Sequence, residues 1–205
     1  MSKVYPVDQQ MLKRTIDWLF SRRDGKGGFL KHSSALGGFA YGPENLMNAY
    51  IVWALTEAGL SNKLDLEIKS IYDNALTEKD PYILGLAAKI MINVKEIGKA
   101  EKLAEYIASK QVSEGYVDGA RATMCGSGGI SRLIETTAIA LLVWLQFGPK
   151  FVKNVELAMK WLYSKCRFGA FGSTQSTVLA LKAIIEYDKQ KAKPGNRNIQ
   201  IFIND

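Results

Sequence analysis

The stretch GAFGSTQSTVLALKAIIEY (169–187) carries the reading of the fold. It places a tight glycine-bearing loop directly before a helix that is apolar almost all round, and a helix without a polar face is expected to be buried on every side. Two earlier stretches have the same order. WLFSRRDGKGGF (18–29) is followed by NAYIVWALTEAG (48–59), and YIASKQVSEGY (106–116) by ETTAIALLVWL (135–145). The chain is therefore expected to be a repeat of helical hairpins.

Working outward, the periodicity predicts a first amphipathic helix from Gln9 to Arg22, with Asp8 as its cap and Leu12, Ile16, Leu19 and Phe20 on one stripe. Its inner partner runs over Leu46–Ala58 and is closed by Gly59. A second hairpin pairs Leu64–Leu76 with a helix opened by Asp80-Pro81 and running to Val94. The third pairs Lys99–Lys110 with Arg132–Phe147, and the fourth pairs Pro149–Lys165 with Thr174–Tyr187. Trp18 and Tyr106 stand 88 residues apart, twice 44, and Trp161 follows 55 later, a spacing of stacked supersecondary units. Amphipathic helices alternate with apolar ones. That is the pattern of two concentric layers in an all-α, α/α toroid, with an open superhelix of hairpins as the alternative. After Tyr187 the polar segment DKQKAKPGNRN precedes Ile199, Ile201 and Ile203, which alternate with Gln200, Phe202 and Asn204. Residues 1–191 are thus expected to form the helical domain, and residues 192–205 a linker and the first β-strand of a following domain.

Composition narrows the function classes. Lys and Arg outnumber Asp and Glu by 27 to 20, but the charges are dispersed, which argues against a nucleic-acid partner. The longest apolar run, Ala138 to Leu145, is far too short to cross a bilayer, so no membrane partner is expected. Cys125 and Cys166 are the two cysteines and encode no disulfide framework.

WLFSRRDGKGGF, NAYIVWALTEAGL, DPYILGLAAKIM, ETTAIALLVWL and above all GAFGSTQSTVLALKAI resemble the thioester domain of the α-2-macroglobulin and complement family over residues 10–187. The resemblance implies a toroid of about six hairpins, of which about four are present here, and a secreted or extracytoplasmic parent that traps proteases or tags surfaces. It implies protein partners, namely proteases or cell-surface targets, and neighbouring β domains of the parent. Gly169, Gly172, Ser173, Thr174 and Gln175 are its structural motif. Active members of that family carry a Cys-Gly-Glu-Gln segment whose Cys and Gln side chains form an internal thioester. That chemistry needs a Cys and a Gln three positions apart. Cys125 begins Cys-Gly-Ser-Gly, with Gly128 where glutamine is required, so no thioester is expected in these residues. Such a segment, if the parent has one, is expected upstream of Met1. Some members use a histidine in the corresponding loop to take the acyl group from the thioester, and His32, the one histidine, is the candidate for that role. Its neighbour two positions on is Ser34, where those members have an acid.

Other readings are an α/α-toroid enzyme of the terpene-cyclase, prenyltransferase or glycosidase type, or a helical-repeat binding scaffold. The first needs zinc ligands, an aspartate-rich segment or paired carboxylates. The sequence offers Asp24 and Asp118 in turns, Glu44, and Glu135 at a helix start, where the helix dipole favours a carboxylate. No cofactor or metal is expected. The sequence therefore predicts a non-catalytic structural and interaction module, which as an incomplete ring should self-associate.

Overall fold

The computed structural model describes residues 6–31 and 42–191; His32 and the strand expected at 199–203 lie outside the described residues. Eight α-helices occur among those residues: α1 Gln9–Ser21, α2 Glu44–Glu57, α3 Asp65–Glu78, α4 Pro81–Asn93, α5 Ile97–Ala108, α6 Gly129–Trp144, α7 Val152–Lys165 and α8 Thr174–Lys191. The protein is all-α, and its only described β features are three isolated bridges in the loops.

Local chemistry sets the helix ends. The Asp8 carboxylate accepts from Gln10 N and Met11 N, and the Asp80 carboxylate accepts from Tyr82 N and Ile83 N with Pro81 in the first turn, so both helices start where orphan amides find side-chain acceptors. Gly59, at φ 80, closes α2 by letting Leu60 N reach back to Leu55 O. Helix α6 begins at Gly129, three residues before the expected Arg132, because Gly128 and Gly129 turn into the helix instead of ending a loop. The apolar run beyond it is broken at Gly148 (φ 54, ψ −123) ahead of Pro149, and most of its side chains are packed in the core.

The inner helices are neighbours in series, α2 on α4, α4 on α6 and α6 on α8, while α3, α5 and α7 pack against them from outside. The inner four share one direction. Near their starts, Gln175 of α8 donates to Tyr50 of α2, and Tyr82 of α4 reaches Glu135 of α6. Near their ends, Asn93 of α4 donates to Thr56 of α2, and Gln190 of α8 donates to Leu145 O beyond α6. Helix α4 is buried from Pro81 to Met91 and α6 from Ile134 to Trp144. Gly85 marks the closest approach of this pair: a Cβ there would collide with Ile139.

Helix α8 departs from the expectation of burial on every side. It buries Ser176, Leu179, Ala180 and Ala183, but Val178, Leu181 and Ile185 stay exposed as a stripe along its other flank. Apolarity all round identifies a helix that needs neighbours on both sides; α6 packs closely along one, and α2 meets the other only through long side chains, Gln175 to Tyr50 and Lys182 to Glu57. Helix α1 is the opposite case: its stripe leaves Leu19 and Phe20 partly buried and none of its residues fully so.

Candidate functional site

The GSTQ loop is built for close packing at the start of α8. Arg167 and Ala170 bridge across a short turn, Phe171 is buried, and Gly172 (φ 86) lies so close to Ser131 that any side chain would clash. Ser173 is the cap, its hydroxyl accepting from Ser176 N at 3.2 Å, while its own amide donates to Ser131 Oγ at 3.1 Å. Thr174 is the exposed first residue of the helix, and Gln175 Nε2 donates to Tyr50 Oη at 3.0 Å. Gly169 takes φ 78 in open space.

This cap sits beside Glu135, a fully buried carboxyl. Glu135 is fully buried in α6, with Tyr82 Oη 3.5 Å from Oε2 and Ser173 Oγ 3.5 Å from Oε1. Ser127 Oγ lies 3.2 Å from Ser173 Oγ, and Ser127 N donates to Thr123 Oγ1 at 3.0 Å, so the 123–127 loop closes the cluster. Burial pushes the Glu135 carboxyl up from its ordinary range, against the pull of hydrogen bonds from Ser127, Thr123, Tyr82 and Ser173. The helix-dipole role expected for Glu135 is replaced by this one. With α6 starting at Gly129, the carboxyl lies in the second turn, beyond the reach of the N-terminal amides. Burial and the neighbouring Glu135 raise the Tyr82 phenol, and burial raises that of Tyr50.

A second ionisable cluster occupies the other end of the inner helices. Glu57, at the end of α2, has Lys182 Nζ at 3.7 Å and Lys89 Nζ at 3.8 Å, and accepts from Trp53 Nε1 at 3.2 Å. Burial works against its charge, but the two ammonium groups outweigh that, and its carboxyl is held below the usual range. Lys89 is 8% exposed, and burial lowers its ammonium despite Glu57. Lys182 also stands 4.8 Å over the Trp53 ring, so α8 meets α2 through long side chains.

Cys125 is exposed in the 123–127 loop, and partial burial of its thiol together with the Glu135 charge raises it, which reduces its thiolate. Cys166 caps the end of α7 and is exposed. Asp24 accepts from Lys26 N and Gly28 N, and Asp118 from Gly119 N, the turn roles their positions imply. Among the described residues no group of three or more His, Cys, Asp or Glu could hold a metal ion. Glu57 and Glu135 lie at opposite ends of the inner helices, and the other buried carboxylates are taken up structurally, Glu67 by Arg23 and Asp80 by the Tyr82, Ile83 and Arg121 amides, so none of these is offered as the free pair that glycoside hydrolysis requires. Sequence reasoning missed Tyr82, Ser127 and Lys89. Lys89 left a signal, as the single charge inside PYILGLAAKIMIN; the hydroxyl groups left none.

A family model described as the A-macroglobulin TED domain matches residues 1–187. The chain belongs to this thioester-domain family. It is 28% identical to A.superbus venom factor 2 of Austrelaps superbus and 27% identical to complement C3 of Naja naja, each over 98% of this chain and 12% of the relative. It is 26% identical to thioester-containing protein 1 allele R1 of Anopheles gambiae, over 95% of this chain and 14% of the relative. The chain thus spans about an eighth of the curated relatives it matches. The chain is thus part of a thioester-containing α-2-macroglobulin and complement family protein, and the family's domain is a non-enzymatic module.

Proposed function

We propose that these residues act as the structural and interaction part of an α-macroglobulin-like thioester domain, in a parent of the protease-trapping or complement-like, endopeptidase-inhibitor class, and that they carry no thioester of their own. The observation behind the second clause is the sequence Cys125-Gly-Ser-Gly128, which offers no Gln side chain three positions on to condense with the thiol. Partial burial also pushes the thiol up from its ordinary value. In this reading Gly169, Gly172, Ser173, Thr174 and Gln175 are structural, with Gly172, Ser173 and Gln175 fixing α8 against α6 and α2, and the partners are protein targets engaged through the parent. Residues 1–191 form the α/α domain and 192–205 lead into a β domain. The location is extracytoplasmic, as the resemblance to complement proteins supports. His32 would act on a thioester only if the parent supplies one. Intact-mass spectrometry before and after methylamine treatment tests the absence of acyl chemistry. No mass change is expected, and incorporation of one methylamine would overturn the reading.

A further inference from the structure

The end of the inner bundle that carries the GSTQ cap is closed over by one short segment. Thr123 is buried while Cys125 and Gly126 are exposed, so the chain rises from the core at 123 and returns to it at Ser127. Inside the segment, Gly126 N donates to Thr123 O and Ser127 N to Thr123 Oγ1, each at 3.0 Å. Its polar contacts with the helices run to Glu135 or to groups bonded to Glu135. The Thr123 and Ser127 hydroxyls donate to that carboxyl, and the Met124 amide donates to the Tyr82 phenol oxygen, which stands 3.5 Å from Glu135 Oε2. Ser127 Oγ meets Ser173 Oγ, which in turn stands 3.5 Å from Glu135 Oε1. Met124 adds a partly buried side chain at the core edge. The far side of the segment is free to turn: Gly126 (φ 66), Gly128 and Gly129 (φ 51) have nothing within 4 Å of where a Cβ would stand.

The carboxyl at the centre of these contacts has donors but no counter-charge. Among the titratable groups around it, α2 presents Tyr50, α4 presents Tyr82 and the segment itself presents Cys125, while α8 brings the uncharged Ser173 and Gln175. The charged groups on the same elements are engaged elsewhere. The Asp80 carboxylate takes the Tyr82, Ile83 and Arg121 amides, the Arg121 guanidinium donates to Glu78 O, and the Arg132 guanidinium donates to Arg121 O at 3.1 Å. A carboxylate shut away from water among dipoles alone carries a desolvation penalty that a solvated one escapes. Burial is the leading influence on Glu135, ahead of all four hydroxyls.

We propose that residues 123–129 are a proton-operated lid, shut over Glu135 while that carboxyl is neutral and released at its glycines when the carboxyl ionises. With the lid open, Glu135 meets water and titrates at its ordinary value of about 4.3. With the lid shut, burial holds the value higher. Closing therefore takes up a proton between these two values. Across that window the open-to-shut ratio grows with pH by up to about tenfold per unit, and it levels off above the higher value. Opening lays bare the Tyr82 phenol, the Ser173 cap and Glu135 itself, so the junction of α6 with α8 is the part of the fold that senses acidity. The lid rests on the enclosed acid and its hydroxyls and not on the absence of a thioester, so a methylamine result leaves it standing.

Amide hydrogen exchange of the full chain, read by mass spectrometry and divided by the intrinsic exchange rates, tests the lid. Between about pH 5 and about pH 8, protection of the Gly126 and Ser127 amides should fall with rising pH, by up to about tenfold per unit within the window, while a peptide from α4 keeps its protection. Glu135→Gln has no proton to lose, and its lid should stay protected at every pH. In the parent, the fall should level off at the pH where the Glu135 carboxyl titrates by carbon-13 NMR, a readout that needs no variant. A lid whose protection is constant with pH, a fall of equal size in Glu135→Gln, a fall shared by α4, or a plateau away from the carboxyl titration would overturn the proposal.

Discussion

Glu135 and Glu57 are both carboxyls on the inner helices, and the protein treats them oppositely. Glu135 is surrounded by hydroxyls from Tyr82, Ser127, Thr123 and Ser173, dipoles that can serve a neutral acid as well as an anion, and burial pushes it up. Glu57 is less buried and faces Lys89 and Lys182, and it is held down. The difference teaches that the partner set, and not depth alone, fixes the charge of a core acid. One end of the inner bundle is a hydroxyl network that locks the GSTQ cap to α6. The other is an ionic junction between α2, α4 and α8.

The largest break in this comparison should come from placing a cation where only hydroxyls stand around the carboxyl. Glu135→Lys would place an ammonium among hydroxyls with no counter-charge, and should destabilise by about 3–5 kcal/mol or prevent folding. Glu135→Gln keeps the shape and the hydrogen-bonding capacity of the neutral acid, and should stay within about 1 kcal/mol of the parent. Urea unfolding of both variants checks the contrast. A Gln variant as damaged as the Lys variant would mean that the hydroxyl network depends on the carboxyl itself and not on its shape.

At the other end the isosteric change should cost more. Glu57→Gln leaves Lys89, 8% exposed, beside Lys182 with no carboxylate between them. The expected loss is about 1–2 kcal/mol, below that of a fully buried pair because Glu57 is partly solvated and both contacts are long. Lys89→Met in the Glu57→Gln background should recover much of it, as an apolar side chain of similar length fills the α4 position. If the double substitution is no more stable than the single one, the ionic junction is not what Lys89 contributes.

Most of the fold is legible in the sequence because helix periodicity and end signals are local. Asp8, Asp80-Pro81 and Gly59 mark their ends within a residue or two, and the alternation of amphipathic with apolar helices separates the layers. The start of α6 is misread because GSGG resembles loop from end to end, although its last glycine already opens the helix. The site was less legible for a non-local reason. Tyr82, Ser127 and Ser173 are brought to Glu135 across separations of 53, 8 and 38 residues, and hydroxyl-bearing side chains are too common to announce a meeting. The burial of α8 was overread, since apolarity reports what a helix needs and not what stands beside it.

The smallest effect is a pair of opposite pH slopes. The folded value of Glu135 is raised above the unfolded value of about 4.3, so the folded state holds the proton more tightly. Its contribution is fully present below about pH 4 and is lost as pH rises through the folded value, because stability falls with pH wherever the native state binds more protons. The folded value of Glu57 is lowered, so its contribution is present above the unfolded value and is lost as pH falls through the folded one. Thermal melts from about pH 3 to about pH 8 should therefore show the margin of the parent over Glu135→Gln shrinking with rising pH. The margin over Glu57→Gln should grow over the acid limb. Subtracting the variant curves removes the other carboxylates, which titrate in both proteins. Two margins that move in the same direction would show that the two acids are shifted alike by folding, and would erase the distinction between the hydroxyl-lined and lysine-lined ends.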